Sequence, residues 1–442
     1  MGIRDVLMLV LGYGCVPLAL YSAYYGLLAY CWLSFMRPQS LVWSQAVQSA
    51  RITLVIGAVL IGRALLTAGP KVRLRRPTAL FLGLWAWFGV CTLTSTHAEL
   101  SWEELIKFSK VGVAVVLITG LVRTRGQLKW LMLLLAACPG IWAVKFGLYF
   151  ARTGGGMSES GGPIGMDNND TAMFIALSIP LLVLVGSTVA GKWWRRGLYA
   201  AGALAVPGVM LTGSRGGLLA MALAGGLAVW RKTTWWKAVL VGAAGLAVGL
   251  AIMPRQQEQR YETIESYEQD TSAMGRIWAW QVSLAMAADR PITGVGFGQD
   301  AYLREYEHYQ TVQGDFPHAA HSVWFSLIGE TGYVGLGLYV SLIVSVLMST
   351  RRVMRGATRA GRGRNWAWNY AAALQCAVLT FALAGTFLSQ ARFEFIFALC
   401  MVAVPLAHLA EAEAYPGAAK IRAARKASGA ATAVATAGKS NG

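Results

Sequence analysis

Apolar runs of about 17–25 residues recur from one end of this chain to the other, and that feature restricts its fold more than any other. A run of that length crosses the hydrocarbon core of a bilayer as a helix. Inside hydrocarbon only helices and closed barrels satisfy their own backbone hydrogen bonds. The runs lie at about 52–68, 78–96, 106–122, 130–150, 170–190, 196–212, 216–230, 238–253, 323–349, 367–388 and 393–409. Residues 5–36 are also apolar and read as one long tilted span or as two short ones broken near Tyr21–Tyr25. A cytoplasmic N-terminus needs the first and brings the total to about twelve. Composition agrees: 56% of the 442 residues are hydrophobic and 14% charged, whereas a soluble domain carries about a quarter charged residues. The apolar runs continue to the far end, so no removable signal peptide ahead of a soluble body is expected. The expected fold is all-α, a polytopic membrane protein of about 12 transmembrane helices.

The net charge of +18 does not point to nucleic acid, because the basic residues form no single face. They fall in short clusters between apolar runs: Lys71 to Arg76, Arg123 to Lys129, Lys192 to Arg196, Arg231 to Lys237, Arg351 to Arg364, and Lys420 to Lys439. Basic loops beside spans mark the cytoplasmic side, with attraction to anionic membrane lipids as a secondary effect. Placed inside, they let the spans alternate without conflict from residue 52 onward. The six cysteines lie in or beside apolar runs with no CxxC spacing and read as packed side chains.

This divides the chain into membrane helices with short loops (1–253), a periplasmic helical lid segment (254–322), C-terminal membrane helices (323–409), and a basic cytoplasmic tail (410–442) whose Ala, Gly, Lys and Ser content predicts disorder. Segment 254–322 holds ten of the 21 carboxylates and five arginines. Residues 257–269 read as a polar helix. A second helix over about 272–290 carries Met274, Ile277, Trp278, Val282 and Leu284 near a 3.6 period, and a short helix is expected near 300–310.

Several residues on the non-cytoplasmic side invite chemistry. Arg215 stands between glycines in the turn Thr212-Gly-Ser-Arg-Gly-Gly217. A charge at that depth marks a functional site by default; its other reading is an arginine snorkelling to headgroups. Arg276 is an anion ligand or a solvated helix charge. His321, at the mouth of the next span, is a base or a structural hydrogen-bonder. His308, His318 and His321 match no familiar zinc spacing. Asp167-Asn-Asn-Asp170 suits a divalent cation or, preferably, a helix N-cap. Lys145, near the outer end of its span, is a further candidate for touching phosphate, and Arg63 within a span is the feature that favours a transporter.

Taken in order, these motifs resemble the bacterial O-antigen ligase and O-antigen polymerase superfamily, and within it the O-glycosylation ligases associated with exosortase systems. The features that carry the likeness are Leu211-Thr-Gly-Ser-Arg-Gly-Gly217, Gly275-Arg276, Pro291-Ile-Thr-Gly-Val-Gly-Phe-Gly298, and His321-Ser322 followed by Glu330-Thr-Gly-Tyr-Val-Gly335, together with Met36-Arg-Pro38 and Asp167-Asn-Asn169. Ser322 departs from the pattern, since many relatives have Asn there. The resemblance implies transfer of a glycan from undecaprenyl diphosphate to an acceptor, the lipid A–core of lipopolysaccharide being the leading one, at the periplasmic face of the inner membrane. It implies that Arg215 and Arg276 bind the diphosphate and that His321 is the base. His318, Lys145, Glu330 and Asp167 are secondary candidates, and no metal or cofactor is called for. The same donor would serve a polymerase or a protein O-oligosaccharyltransferase; the rival of another class is a polytopic transporter or flippase.

Overall fold

The structure, a computed structural model, describes residues 2–42, 44, 47, 49–67, 71–154, 162–163, 166–251, 271–310, 316–388 and 390–414. The polar helix expected at 257–269 and the tail from 415 lie outside the described residues. Every regular element among the described residues is helical, and the chain is an all-α polytopic membrane protein. Six helices are long and apolar enough to cross a membrane: Ile3–Tyr21, Arg125–Thr153, Asn168–Val185, Val323–Arg359, Trp366–Phe387 and Glu394–Ala414. Between them stand Ile52–Leu66, Arg76–Leu93, Ala98–Leu121, Lys192–Leu211, Arg215–Lys232 and Trp235–Ala251. The last helix runs to Ala414, five residues into the stretch read as tail.

Local chemistry sets the boundaries. Ser22 is extended (φ −151°, ψ 131°), and its side chain accepts from Tyr24 N at 3.3 Å to start the helix Ala23–Cys31. The N-terminal apolar stretch is therefore broken, the second of the two arrangements its sequence allows. Thr124 and Gln127 form a reciprocal capping box that starts Arg125–Thr153, and Gly154 stops that helix at φ +59°. Arg63 lies in the last turn of Ile52–Leu66 and donates from Nε to Leu20 O at 2.8 Å, at a helix end and not in mid-span.

The most buried helices are Asn168–Pro180, Trp366–Ala384 and Glu394–Ala414. Beside them Phe81, Phe88, Phe108, Phe297 and Phe397 form an aromatic core, with Phe88 and Phe297 stacked at 4.2 Å.

Contacts between distant segments define two ends. At one, Arg73 reaches Val122 O at 3.1 Å, Tyr24 donates to Gln127 O at 2.7 Å, Arg75 pairs with Glu411 at 2.7 Å, Arg364 donates to Lys232 O at 2.7 Å, and Arg125 lies over Trp366. At the other, Ser214 meets Asn169, Gln390 meets Asp170, His97 pairs with Glu305, and Trp324 meets Thr386. The described basic clusters of the sequence gather at the first, basic end.

At the opposite end the helices Thr271–Asp289 and Gln299–Tyr309 build a small core of their own from Ala279, Val282, Met286, Val295, Tyr302, Tyr306 and Ala320. The buried face of the longer helix is turned from the expected one: Val282 is buried, but Leu284 is 46% exposed.

Candidate active site

The turn before Arg215 is built by hydrogen bonds. Ser214 caps the helix Arg215–Lys232 by accepting from Gly217 N at 3.0 Å, and its hydroxyl donates to Asn169 Oδ1 at 2.6 Å. Gly217 has no substitute, because a Cβ there would stand 2.3 Å from that of Ala172. Arg215 is thereby the first residue of a helix whose start touches the start of Asn168–Pro180, and its side chain is half-buried. Free amides at such a start attract anions.

Asp167 and Asp170 form a capping box. Asp167 Oδ1 accepts from Asp170 N at 2.7 Å, and Asp170 Oδ2 accepts from Asp167 N at 3.4 Å and from Gln390 Nε2 at 2.6 Å. Two carboxylates are thus used on backbone and amide, as the cap reading requires.

The two glycine-rich motifs lock together. Val295 N and Gly296 N donate to Gly329 O at 2.9 Å and Glu330 O at 3.2 Å, and Tyr333 N donates to Pro291 O at 2.8 Å. Gly332, at φ +67°, breaks Val323–Arg359 into two helices, and a Cβ there would lie 2.3 Å from Ile292 O. Gly294, at φ +64°, is pressed as closely on Gly329 O. Glu330 is buried, accepts from Gly298 N at 3.1 Å, and pairs with Arg392 at 2.5 Å; Arg392 also holds Glu104 at 3.0 Å. Glu330 therefore serves a buried ion network that seats Phe297 in the bundle. Sequence reasoning missed Arg392, whose only local signal is a charge between Ser389 and Phe393 at the end of an apolar run.

His321 sits beside this lock, one residue before Ser322, the extended residue (φ −154°) that precedes Val323–Arg359. Its backbone is left-handed at φ +45°, a costly state for a residue with a Cβ and one that persists where surrounding structure imposes it. Trp280 Nε1 fixes the preceding carbonyl, Ala320 O, at 2.8 Å. The half-buried imidazole is held below the ordinary histidine range, first by burial, then by the Arg276 guanidinium and more weakly by His318, while Asp167 pulls the other way. The structure thus brings Arg276 and Asp167 into electrostatic range of His321. Arg215 stands next to Ser214, whose bond to Asn169 ties it to the Asp167 loop.

His318 has another task. Its Nδ1 is 2.6 Å from Phe316 O and its Nε2 is 2.5 Å from Gly275 O, so both nitrogens face backbone carbonyls and neither is open to a metal. A Cβ at Gly275 would lie 3.2 Å from Nε2, which accounts for the glycine before Arg276. The helix begins only at Val323, so His318 and His321 share no helical face. Among the described residues no group of three or more His, Cys, Asp or Glu is placed to hold a metal ion. Lys145 is exposed, with its ammonium 4.5 Å from the Trp142 ring, whose Nε1 donates to Met36 O at 2.8 Å. Next to Met36, Arg37 is left-handed (φ 50°) and within electrostatic range of Asp170.

Helices and cluster together define a polytopic membrane protein that gathers Arg276, Asp167 and one left-handed histidine at the end away from its basic loops. Residues 200–340, which include Arg215, Arg276, His321 and Glu330, match the family model described as O-antigen ligase. Residues 3–183 match a family of unknown function, DUF5935. No curated protein matches the chain. The match over residues 200–340 supports a likeness to the O-antigen ligase superfamily. That family implies in general a glycosyltransferase-like ligase activity, of O-antigen ligase or polymerase type, with a glycan-linked lipid donor and a lipid acceptor.

Proposed function

We propose that the protein is an inner-membrane O-antigen ligase that transfers a glycan from undecaprenyl diphosphate to the lipid A–core of lipopolysaccharide, with its active site facing the periplasm. The observation that carries this is the convergence of Arg276, Asp167 and His321 at the end opposite the basic clusters, inside or beside the matched domain. The basic loops at the opposite end support an outward placement of this one, since such loops favour the cytoplasm. The placement of Arg63 at a helix end removes the feature that favoured a transporter.

Arg215 and Arg276 bind the diphosphate oxygens, for which the planar guanidinium is suited and stays charged throughout. His321 takes the proton of the acceptor hydroxyl; the oxygen attacks the anomeric carbon, and the glycosidic bond to the diphosphate breaks. Negative charge grows on the leaving diphosphate, so fixed cations there favour the transition state. Diphosphate leaves without a general acid, and no metal is required of the chain. Among the described residues Ser322 Oγ and Asn168 Oδ1 are buried without a hydrogen-bond partner, which suits a site lined for sugar hydroxyls.

Transfer from a lipid-linked glycan to lipid A–core should be measured with the purified protein. Arg215→Ala and Arg276→Ala are expected to lose about a hundredfold or more, and the Lys variants clearly but less, since a donor of this kind is worth about 10²–10³ in rate. Near-normal transfer by both alanine variants sinks the clamp. Transfer to a second lipid-linked glycan or to protein, with none to lipid A–core, replaces the acceptor and leaves the clamp standing.

A further inference from the structure

A second site stands at the basic end, far from the one above. Arg76–Leu93, Val323–Arg359 and Glu394–Ala414 diverge there around a groove of about 1070 Å³, just above the usual range of about 300–1,000 Å³ for small-molecule pockets. The void has a sequence cause: small side chains line it, Ser341, Ser345 and Ser349 from one helix and Ala407, Ala410 and Ala414 from another. The outer wall is apolar and turned away from the protein, with Val340, Val344 and Met348 at 41%, 45% and 44% exposure. From Met348 to Val340 it runs eight residues, about 12 Å. The rim is cationic. Arg75 and Arg362 are engaged by Glu411 (2.7 Å) and Glu413 (3.9 Å). Among the described residues no carboxylate pairs with Arg76 or Arg352, which are exposed and line the same groove.

We propose that this groove binds one anionic glycerophospholipid of the leaflet at the basic end, its phosphate between Arg76 and Arg352 and an acyl chain along Val340, Val344 and Met348. Charge selects this occupant. Residues 415–442, which follow directly from the groove wall at Ala414, carry Lys420, Arg422, Arg425, Lys426 and Lys439 and no carboxylate, so the rim repels them. A second copy docked here about a two-fold axis would set arginine against arginine. The inference rests on the membrane fold alone and stands whether or not the glycan-transfer reading does.

The test is native mass spectrometry of the full chain from mixed micelles holding equal phosphatidylglycerol and phosphatidylcholine of one chain length. The wild type should retain phosphatidylglycerol about tenfold or more over phosphatidylcholine. Arg76→Gln and Arg352→Gln should each lose about fivefold of that preference, the worth of one arginine near an anionic headgroup, whereas Arg196→Gln, at the same end on another helix, should not. Ser341→Leu, an exposed position, should lose both lipids by filling the groove. Equal retention of the two lipids by the wild type, retention of neither, or unchanged preference in both rim variants overturns the proposal. So does a dimer that Ser341→Leu abolishes. Undecaprenyl phosphate at equal ratio carries the same phosphate on an isoprenoid chain; displacement of phosphatidylglycerol by it in more than tenfold excess overturns the choice of lipid.

Discussion

Replacing Arg392 by Met tests whether Glu330 belongs to the scaffold or to the chemistry. In the native protein the guanidinium joins Glu330 Oε2 at 2.5 Å and Glu104 Oε1 at 3.0 Å, with side-chain exposures of 15% for Arg392 and 3% for Glu330. Removing it strands Glu330 with the single amide of Gly298 at 3.1 Å. Breaking a buried pair from one side costs about 3–5 kcal/mol. Glu330→Gln is milder, because Arg392 keeps Glu104 and the lost bond is worth about 1–3 kcal/mol. The double variant should then be less damaged than Arg392→Met alone, since no carboxylate is left stranded at position 330. Unfolding is readable with a thiol-reactive dye in detergent, because five of the six cysteines are buried and the sixth is half-buried. The expected order of stability is wild type, Glu330→Gln, double, Arg392→Met. An Arg392→Met protein that melts with the wild type refutes the network, and a Glu330→Gln protein of wild-type stability with a hundredfold loss of transfer makes Glu330 a substrate-contacting group.

Four further outcomes are expected. Because burial and Arg276 lower the His321 pKa, its neutral, basic form persists below the ordinary histidine range. Transfer should fall only as pH drops through that lowered value, and Asp167→Asn, which keeps a good cap but removes an anion, should move the acid limb lower still in a pH–rate profile. His321→Gln should lose about 10²–10⁴ in rate with donor binding near normal; joint loss of binding and turnover would assign it to the donor site. Gly332→Ala, forced to a left-handed backbone and a 2.3 Å approach to Ile292 O, should lower the dye-detected melt by more than the 1–2 kcal/mol that chirality alone costs. Cysteines placed near 126, 234 and 358 should resist an impermeant label in intact cells, while those near 160, 265 and 310 react; the reverse pattern overturns the sidedness of the site.

What the sequence disclosed depended on range. Asp167 and Asp170 are three residues apart, so their cap could be read from spacing, and Thr124 with Gln127 likewise. The apolar runs announced the helices because a bilayer demands a length. The partner of Glu330 lies 62 residues away in a short loop, and no period connects them. Gly332 stood out only as part of the Glu330–Gly335 motif, and its left-handed backbone becomes visible only with Ile292 folded against it. His318 looked like a neighbour of His321; the two carbonyls that hold it come from Phe316 and, across 43 residues, Gly275. Leu284 fitted the helical period but faces outward, because the small core of the outer segment is centred on Ala279, Val282 and Met286.

The lock between 291–298 and 329–333 bears on how the site is assembled. Arg215 belongs to the bundle: its helix starts against Ala172 and Phe387. Arg276 belongs to the outer segment, which is joined to the bundle by the backbone bonds of the glycine motifs, by the His97–Glu305 pair and by further side-chain contacts. Phe297 stacks on Phe88, Glu330 holds Gly298 and Arg392, and Trp280 stacks on Phe325 at 4.9 Å. His321 is on the seam, tied to the outer segment through Ala320 and continuing through Ser322 into a bundle helix. On the proposed reading the donor diphosphate lies across that seam, with one guanidinium from each side and the base between. The glycine motifs matter to this design by fixing where the seam runs: backbone packed on backbone at 291–298 and 329–333 leaves little room for the segment to slide.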